Sequence, residues 1–226
     1  MRLMVCPRTE VPHYQDAPVT HFVSLVDPGD DPELLPVPPT TESRLILAFS
    51  DLDDIEVTLP RFARYTPPKE KDVARLVSYG RSLAERDAWG LLAHCEAGIS
   101  RSTAAAITML TAAGYPPETA FQIVQSVCPE MLPNRRMLRM ADSLLGTGNT
   151  LRSMAEIHRR KAFEAAGYED PTNVLLREAE ADKQKSFVQR LLSALPNGWR
   201  SLVGSGARAR AAIQHKNSVA AAARHR

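Results

Sequence analysis

The sequence predicts an α/β protein: a short, mostly parallel central sheet flanked by helices, followed by a helical C-terminal extension. Three observations predict it. Four apolar runs, each too short for a helix, are bounded by turn residues. They alternate with longer segments of helical period, the pattern of strands joined by crossover helices. The last run passes through a short loop straight into an alanine-rich helix, "LLAHCEAGISRSTAAA" at 91–106.

The strands are expected at 3–6, 21–26, 44–49 and 90–94. Between the second and third, "DPGDDPELLPVPPTTES" (27–43) is a proline-rich loop. Residues 69–87 place Val73, Leu76, Val77, Gly80, Leu83 and Ala84 on one helical face, and "TPP" at 66–68 supplies a cap and prolines suited to a helix start. A helix from 102 to 113 stops at "GYPP", with Gly114 as its C-terminal cap. Helices follow at 118–127 and, capped by Asn134 and closed by Gly146, at 135–145. Two more are expected at 150–166 and 172–195. The resulting organisation is a catalytic-type domain at 1–150, a helical extension at 151–195 and a basic, flexible tail at 196–226.

Composition excludes several classes. The chain has 226 residues, 44% hydrophobic and 24% charged, ordinary values for a globular protein. No apolar run approaches the roughly 18 residues of a membrane span, and "MRLMVCPRTEVP" turns polar too quickly for a signal peptide. Three cysteines at unrelated spacings, Cys6, Cys95 and Cys128, argue against a disulfide framework or a zinc site and for a reducing, cytoplasmic home. Residues 183–226 carry nine Lys and Arg and no Asp or Glu, leaving 19 basic against 26 acidic residues in the rest. An acidic body with a basic tail results, and the tail suits an anionic or protein partner.

The loop at 95–101 carries the chemistry. Where a strand gives way to a helix, unpaired N–H groups converge and the helix dipole adds positive potential, so an anion is held there. The amides of Glu96, Ala97, Gly98, Ile99 and Ser100 make the cradle, with Gly98 giving conformational freedom near its middle. Arg101 grips two phosphate oxygens with its planar fork. The same positive field favours the thiolate of Cys95, a nucleophile beneath the phosphorus. Ser102 donates a hydrogen bond to the sulfur when it leaves, and His94 orients Cys95 through a hydrogen bond. A carboxylic acid must protonate the departing oxygen. "LILAFSDLDD" (45–54) offers Asp51, with Asp53 and Asp54 as substitutes; Asp51 comes first after the strand.

"HCEAGISRS" resembles the His-Cys-x5-Arg-Ser/Thr signature of cysteine-based protein tyrosine and dual-specificity phosphatases, and with "PN" at 133–134 and "ADSLLG" at 141–146 it looks like the compact bacterial members. The resemblance covers roughly residues 1–150. It implies the three-layer phosphotyrosine-phosphatase fold, no metal or other cofactor, and the roles of nucleophile for Cys95, phosphate binder for Arg101, hydrolysis-assisting hydroxyl for Ser102 and general acid for Asp51. Asp51 stands 44 residues before Cys95, a longer interval than dual-specificity members use. Asn134 either braces the loop or simply caps a helix.

The cradle side chains are acidic or apolar, which favours a singly phosphorylated group such as phosphotyrosine over lipids bearing several phosphates. Phe49, Tyr65 and Met131 are candidates for a rim that stacks on a phenyl ring. Other readings remain: a catalytically silent phospho-binding module, a rhodanese-like sulfur transferase, or a redox protein with Cys128 as resolving thiol. Otherwise Cys6 and Cys128 read as small buried hydrophobes.

Overall fold

The computed structural model describes residues 1–31 and 35–194. The tail expected at 196–226 lies outside the described residues. Four strands, β1 (Arg2–Pro7), β2 (His21–Val26), β3 (Ser43–Ala48) and β4 (Gly90–Cys95), form one sheet in the order β1-β4-β2-β3, and every pairing is parallel. Each lies within a residue or two of its expected place.

The strand period of two divides the core. Leu3, Val5, Val23, Leu25, Leu91, Ala93 and Cys95 face the larger cluster. That cluster is closed by helices α2 (Glu70–Ala84), α3 (Arg101–Ala112), α4 (Pro117–Val127), α5 (Arg135–Leu145) and α6 (Thr150–Ala166). Met4, Cys6, Phe22 and Leu92 face a smaller cluster covered by Val11 and Tyr14 of a 3-10 helix (Arg8–Tyr14) and by Val37 of the proline-rich loop. α3 lies centrally, with ten consecutive residues from Arg101 to Leu110 buried, and its small side chains let α2 come close. At Gly80 a Cβ would stand 2.7 Å from the Met109 Cα, so that crossing requires glycine.

Three local features depart from expectation. α2 begins at Glu70 rather than under a Thr66 cap; Pro67 and Pro68 keep the chain extended, and Asp72 accepts from the Lys69 N–H instead (2.9 Å). The Thr66 carbonyl pairs with the Ser50 N–H (2.7 Å). A four-residue helix α1 (Asp54–Val57) and a 3-10 turn (Pro60–Phe62) occupy part of the long interval between Asp51 and Cys95. α1 starts on an Asp53-x-x-Glu56 capping box.

Two compact units divide at 175/176. α7 (Pro171–Ala194) begins in the first, and residues 176–194 of the second are helical. No helix of the described residues is long and apolar enough to cross a membrane.

Candidate active site

Parallel strands end on the same side of a sheet, and here three ends meet. β4 leads into the 95–101 loop; its neighbour β2 ends beside Asp27, and β3, next to β2, ends beside Phe49 and Asp51. Such an edge is where open α/β sheets bind ligands.

The loop is turned inside out. The carbonyls of Ile99 and Ser100 accept from the Thr103 hydroxyl (2.7 and 2.9 Å) and from the Leu132 and Asn134 amides (2.8 and 3.3 Å). The Glu96 carbonyl accepts from the Arg8 N–H (3.3 Å), and the Gly98 carbonyl from the Cys128 thiol (3.8 Å). With their carbonyls drawn outward, none of the amides of residues 96–101 donates to another backbone group among the described residues. Gly98 sits at φ +74°, and a Cβ there would stand 2.6 Å from the Cys6 carbonyl carbon. The loop thus closes against β1 only because residue 98 has no side chain.

Cys95 is 1% exposed, and its Sγ lies 3.2 Å from the Ser102 Oγ. The Arg101 guanidinium, almost fully buried, donates through Nη1 to the Asp27 carboxylate (2.8 Å) and the Phe49 carbonyl (2.7 Å). Its Nε is buried without a hydrogen-bond partner among the described residues and lies 3.9 Å from Asp51 Oδ2. Asp51 Oδ1 accepts from the Ser100 hydroxyl and the Asn134 amide, both at 2.8 Å. Asn134 also donates to the Leu52 carbonyl (3.1 Å) and accepts from the Met137 N–H (2.9 Å), so it is brace and helix cap together.

The substitutes for Asp51 are engaged elsewhere. Asp53 caps α1 and pairs with Arg135 at 2.5 Å. Asp54 pairs with Arg136 and Arg139, both at 2.8 Å. Burial by itself would raise the Asp54 pKa, but hydrogen bonds and charge from Arg139 and Arg136 outweigh it and hold the carboxyl below its ordinary value. A carboxyl so held is a poor proton donor.

His94 does not orient Cys95 by a hydrogen bond: neither ring nitrogen has a partner among the described residues. Alternation explains this, because neighbouring strand residues point to opposite faces. The ring lies fully buried against Phe22 (centroids 5.4 Å apart), and its pKa falls to about 4 through burial and then the charges of Arg8, Arg44 and Arg101.

Cys6 and Cys128 are free and buried. Burial first, then Glu10 beside Cys6 and Glu130 beside Cys128, pushes each pKa up to about 12. Both are held as thiols.

A cleft of about 630 Å³ opens over Arg101, with Asp27, Asp51, Glu96, Phe62 and Tyr65 among its walls. Phe49 and Met131 are not rim residues; both are buried, and Phe49 contributes its carbonyl. Tyr65 is on the wall with the Arg64 guanidinium 4.9 Å above its ring, and Phe62 joins it at 6.2 Å. Phe62 and Asp27 escaped the sequence reading. Asp27 stands first after a strand, the same signal that selected Asp51.

No family model matches the chain, and no curated protein matches it. Solved structures similar to it include human DUSP28 (17% identity, TM-score 0.46, 65% of this chain and 93% of that one). Others are the human tyrosine phosphatase-like serine/threonine/tyrosine-interacting protein (19%, 0.44, 65% and 92%) and PTPMT1 (13%, 0.42, 71% and 95%).

Proposed function

We propose that this chain is a metal-independent phosphomonoesterase that works through a phospho-cysteine intermediate, with phosphotyrosine side chains as its foremost substrate class. One observation carries the reading. Beside a buried cysteine in contact with a serine hydroxyl, a buried arginine makes its hydrogen bonds through Nη1, while its Nε, 3.9 Å from the Asp51 carboxylate, has no hydrogen-bond partner among the described residues. A buried N–H without an acceptor is costly, and a phosphate oxygen would supply one.

The reaction follows from the arrangement. Phosphate oxygens take the amides of 96–101 and the Nε side of Arg101. The Cys95 sulfur attacks phosphorus; the S–P bond forms as the P–O bond to the leaving group breaks, and Asp51 gives its proton to the departing oxygen. Asp51 Oδ1 accepts two hydrogen bonds, and Oδ2 faces Arg101. In the second step Asp51 takes a proton from water, the water oxygen bonds to phosphorus, and the sulfur leaves with the Ser102 hydroxyl donating to it. All the groups named lie within residues 1–150.

Phe62 and Tyr65 suit an aryl ester, and the carboxylates of Asp27, Asp51 and Glu96 oppose a ligand bearing several phosphates. The unpaired cysteines favour a cytoplasmic home, and the basic tail an anionic partner. A silent phospho-binding module would bind the same ligands without turnover. Hydrolysis of para-nitrophenyl phosphate, blocked by vanadate and by thiol alkylation, decides between them. Cys95→Ser is expected to abolish turnover while keeping phosphate-ester binding, and full activity in that variant would end the proposal.

A further inference from the structure

We propose that Asp27 is the positioning residue of the phosphate-binding arginine, and that the turn Asp27-Pro28-Gly29-Asp30 exists to hold it; the inference rests on the function proposed above. Arg101 projects from the first turn of α3 on a long flexible stem, so its own helix does not set the rotation of its guanidinium plane. Two acceptors set it: the Phe49 carbonyl after β3 and the Asp27 carboxylate after β2. Both bind Nη1, which turns the fork formed by Nε and Nη2 away from them. The carbonyl is neutral; among the described residues Asp27 alone places a charge at hydrogen-bond distance from the buried guanidinium.

Asp27 is itself braced. The Asp30 N–H donates to the Asp27 carbonyl (3.1 Å), and the Asp27 N–H reaches back to Asp30 Oδ2 (3.3 Å). Gly29, at φ +98°, supplies the left-handed residue that a turn of this kind needs after proline. Asp30 Oδ2 also takes Arg8 Nη1 at 2.7 Å, tying the turn to the residue after β1. The brace therefore runs from Arg8 through the turn to Arg101. The Asp27 side chain remains 45% exposed on the cleft wall, while Arg101 is 4% exposed. It stays beside Arg101 while phosphate occupies the fork. It touches no reacting atom.

The test uses full-length protein, para-nitrophenyl phosphate, and inorganic phosphate and vanadate as binding probes. With Asp27→Ala, kcat/KM is expected to fall about 10- to 100-fold, the scale of a misplaced binding group. Phosphate and vanadate inhibition should weaken in parallel, and the pH profile should keep both limbs. Asp27→Asn retains an acceptor of the same shape and should recover part of the loss; Asp30→Ala should reproduce a smaller loss. Tighter vanadate binding by Asp27→Ala would mean that Asp27 competes with phosphate, and would overturn the proposal. Unchanged kinetics, or loss of the high-pH limb, would overturn it as well. A wild-type protein that neither turns over the ester nor binds vanadate would refute the proposed function itself, a result readable before any variant is made.

Discussion

At the scale of single residues, three neighbouring aspartates differ in what each touches, and the proposed acid role falls to Asp51 on that ground. Asp54 is held ionised by two arginines, Asp53 is spent on capping α1 and pairing with Arg135, and Asp51 keeps one oxygen toward Arg101. Asp51→Asn should therefore slow phenyl and alkyl phosphates by about 10²- to 10⁴-fold, the usual worth of a general acid, with a smaller loss on good leaving groups. The high-pH limb of kcat/KM should vanish with it. Asp53→Asn should leave the leaving-group dependence as in the wild type. Steady-state kinetics on a series of aryl phosphates measures both, and equal losses across the series for Asp51→Asn would remove it from the role.

At the scale of elements, the loop carrying Asp51 is fastened to the start of α5. Asn134 caps that helix and hydrogen-bonds Asp51, while Arg135, Arg136 and Arg139 of its first two turns engage Asp53 and Asp54. Substitution at 134 separates the two duties. Asn134→Asp keeps the cap but replaces the donor to Asp51 and the Leu52 carbonyl with a second buried carboxylate, so both kcat/KM, by at least about tenfold, and the melting temperature should fall. Asn134→Ala loses the cap as well and should cost roughly 1 kcal/mol of stability. If Asn134→Asp retains full activity, the brace has no catalytic consequence. Gly98 shows the same economy in the 95–101 loop, where its positive φ and its contact with β1 are both conditions of closure.

For the whole molecule, a buried histidine on β4 contributes to the response to acid. His94 titrates near 6.5 in an unfolded chain and at about 4 in the folded one, so the unfolded chain binds the extra proton between those values. Its contribution is complete above pH 6.5, declines as pH falls toward 4, and declines no further below. The loss is on the order of 3 kcal/mol, at about 1.4 kcal/mol per unit of pKa difference. His94→Phe keeps a ring against Phe22 and cannot titrate. Urea unfolding from pH 7.5 to 4 should show wild type losing stability relative to the variant across that window; parallel curves would exclude the mechanism.

The amino-acid order was enough for the strands and main helices, because a two-residue or 3.6-residue apolar period and a cap or glycine stop are local signals. It also determined the Cys95–Ser102 loop, whose members are joined by a single short stretch of chain. The tertiary structure decided what depends on residues far apart in the chain. It brought Asp27 and Asn134, 74 and 83 residues from their partners, to Arg101 and Asp51. It turned His94 away from Cys95 and buried Phe49 and Met131, leaving Phe62 and Tyr65 on the cleft wall. The reason is the strand order: local periodicity says that a segment is a strand, whereas the side chains beside its end depend on which strands lie next to it.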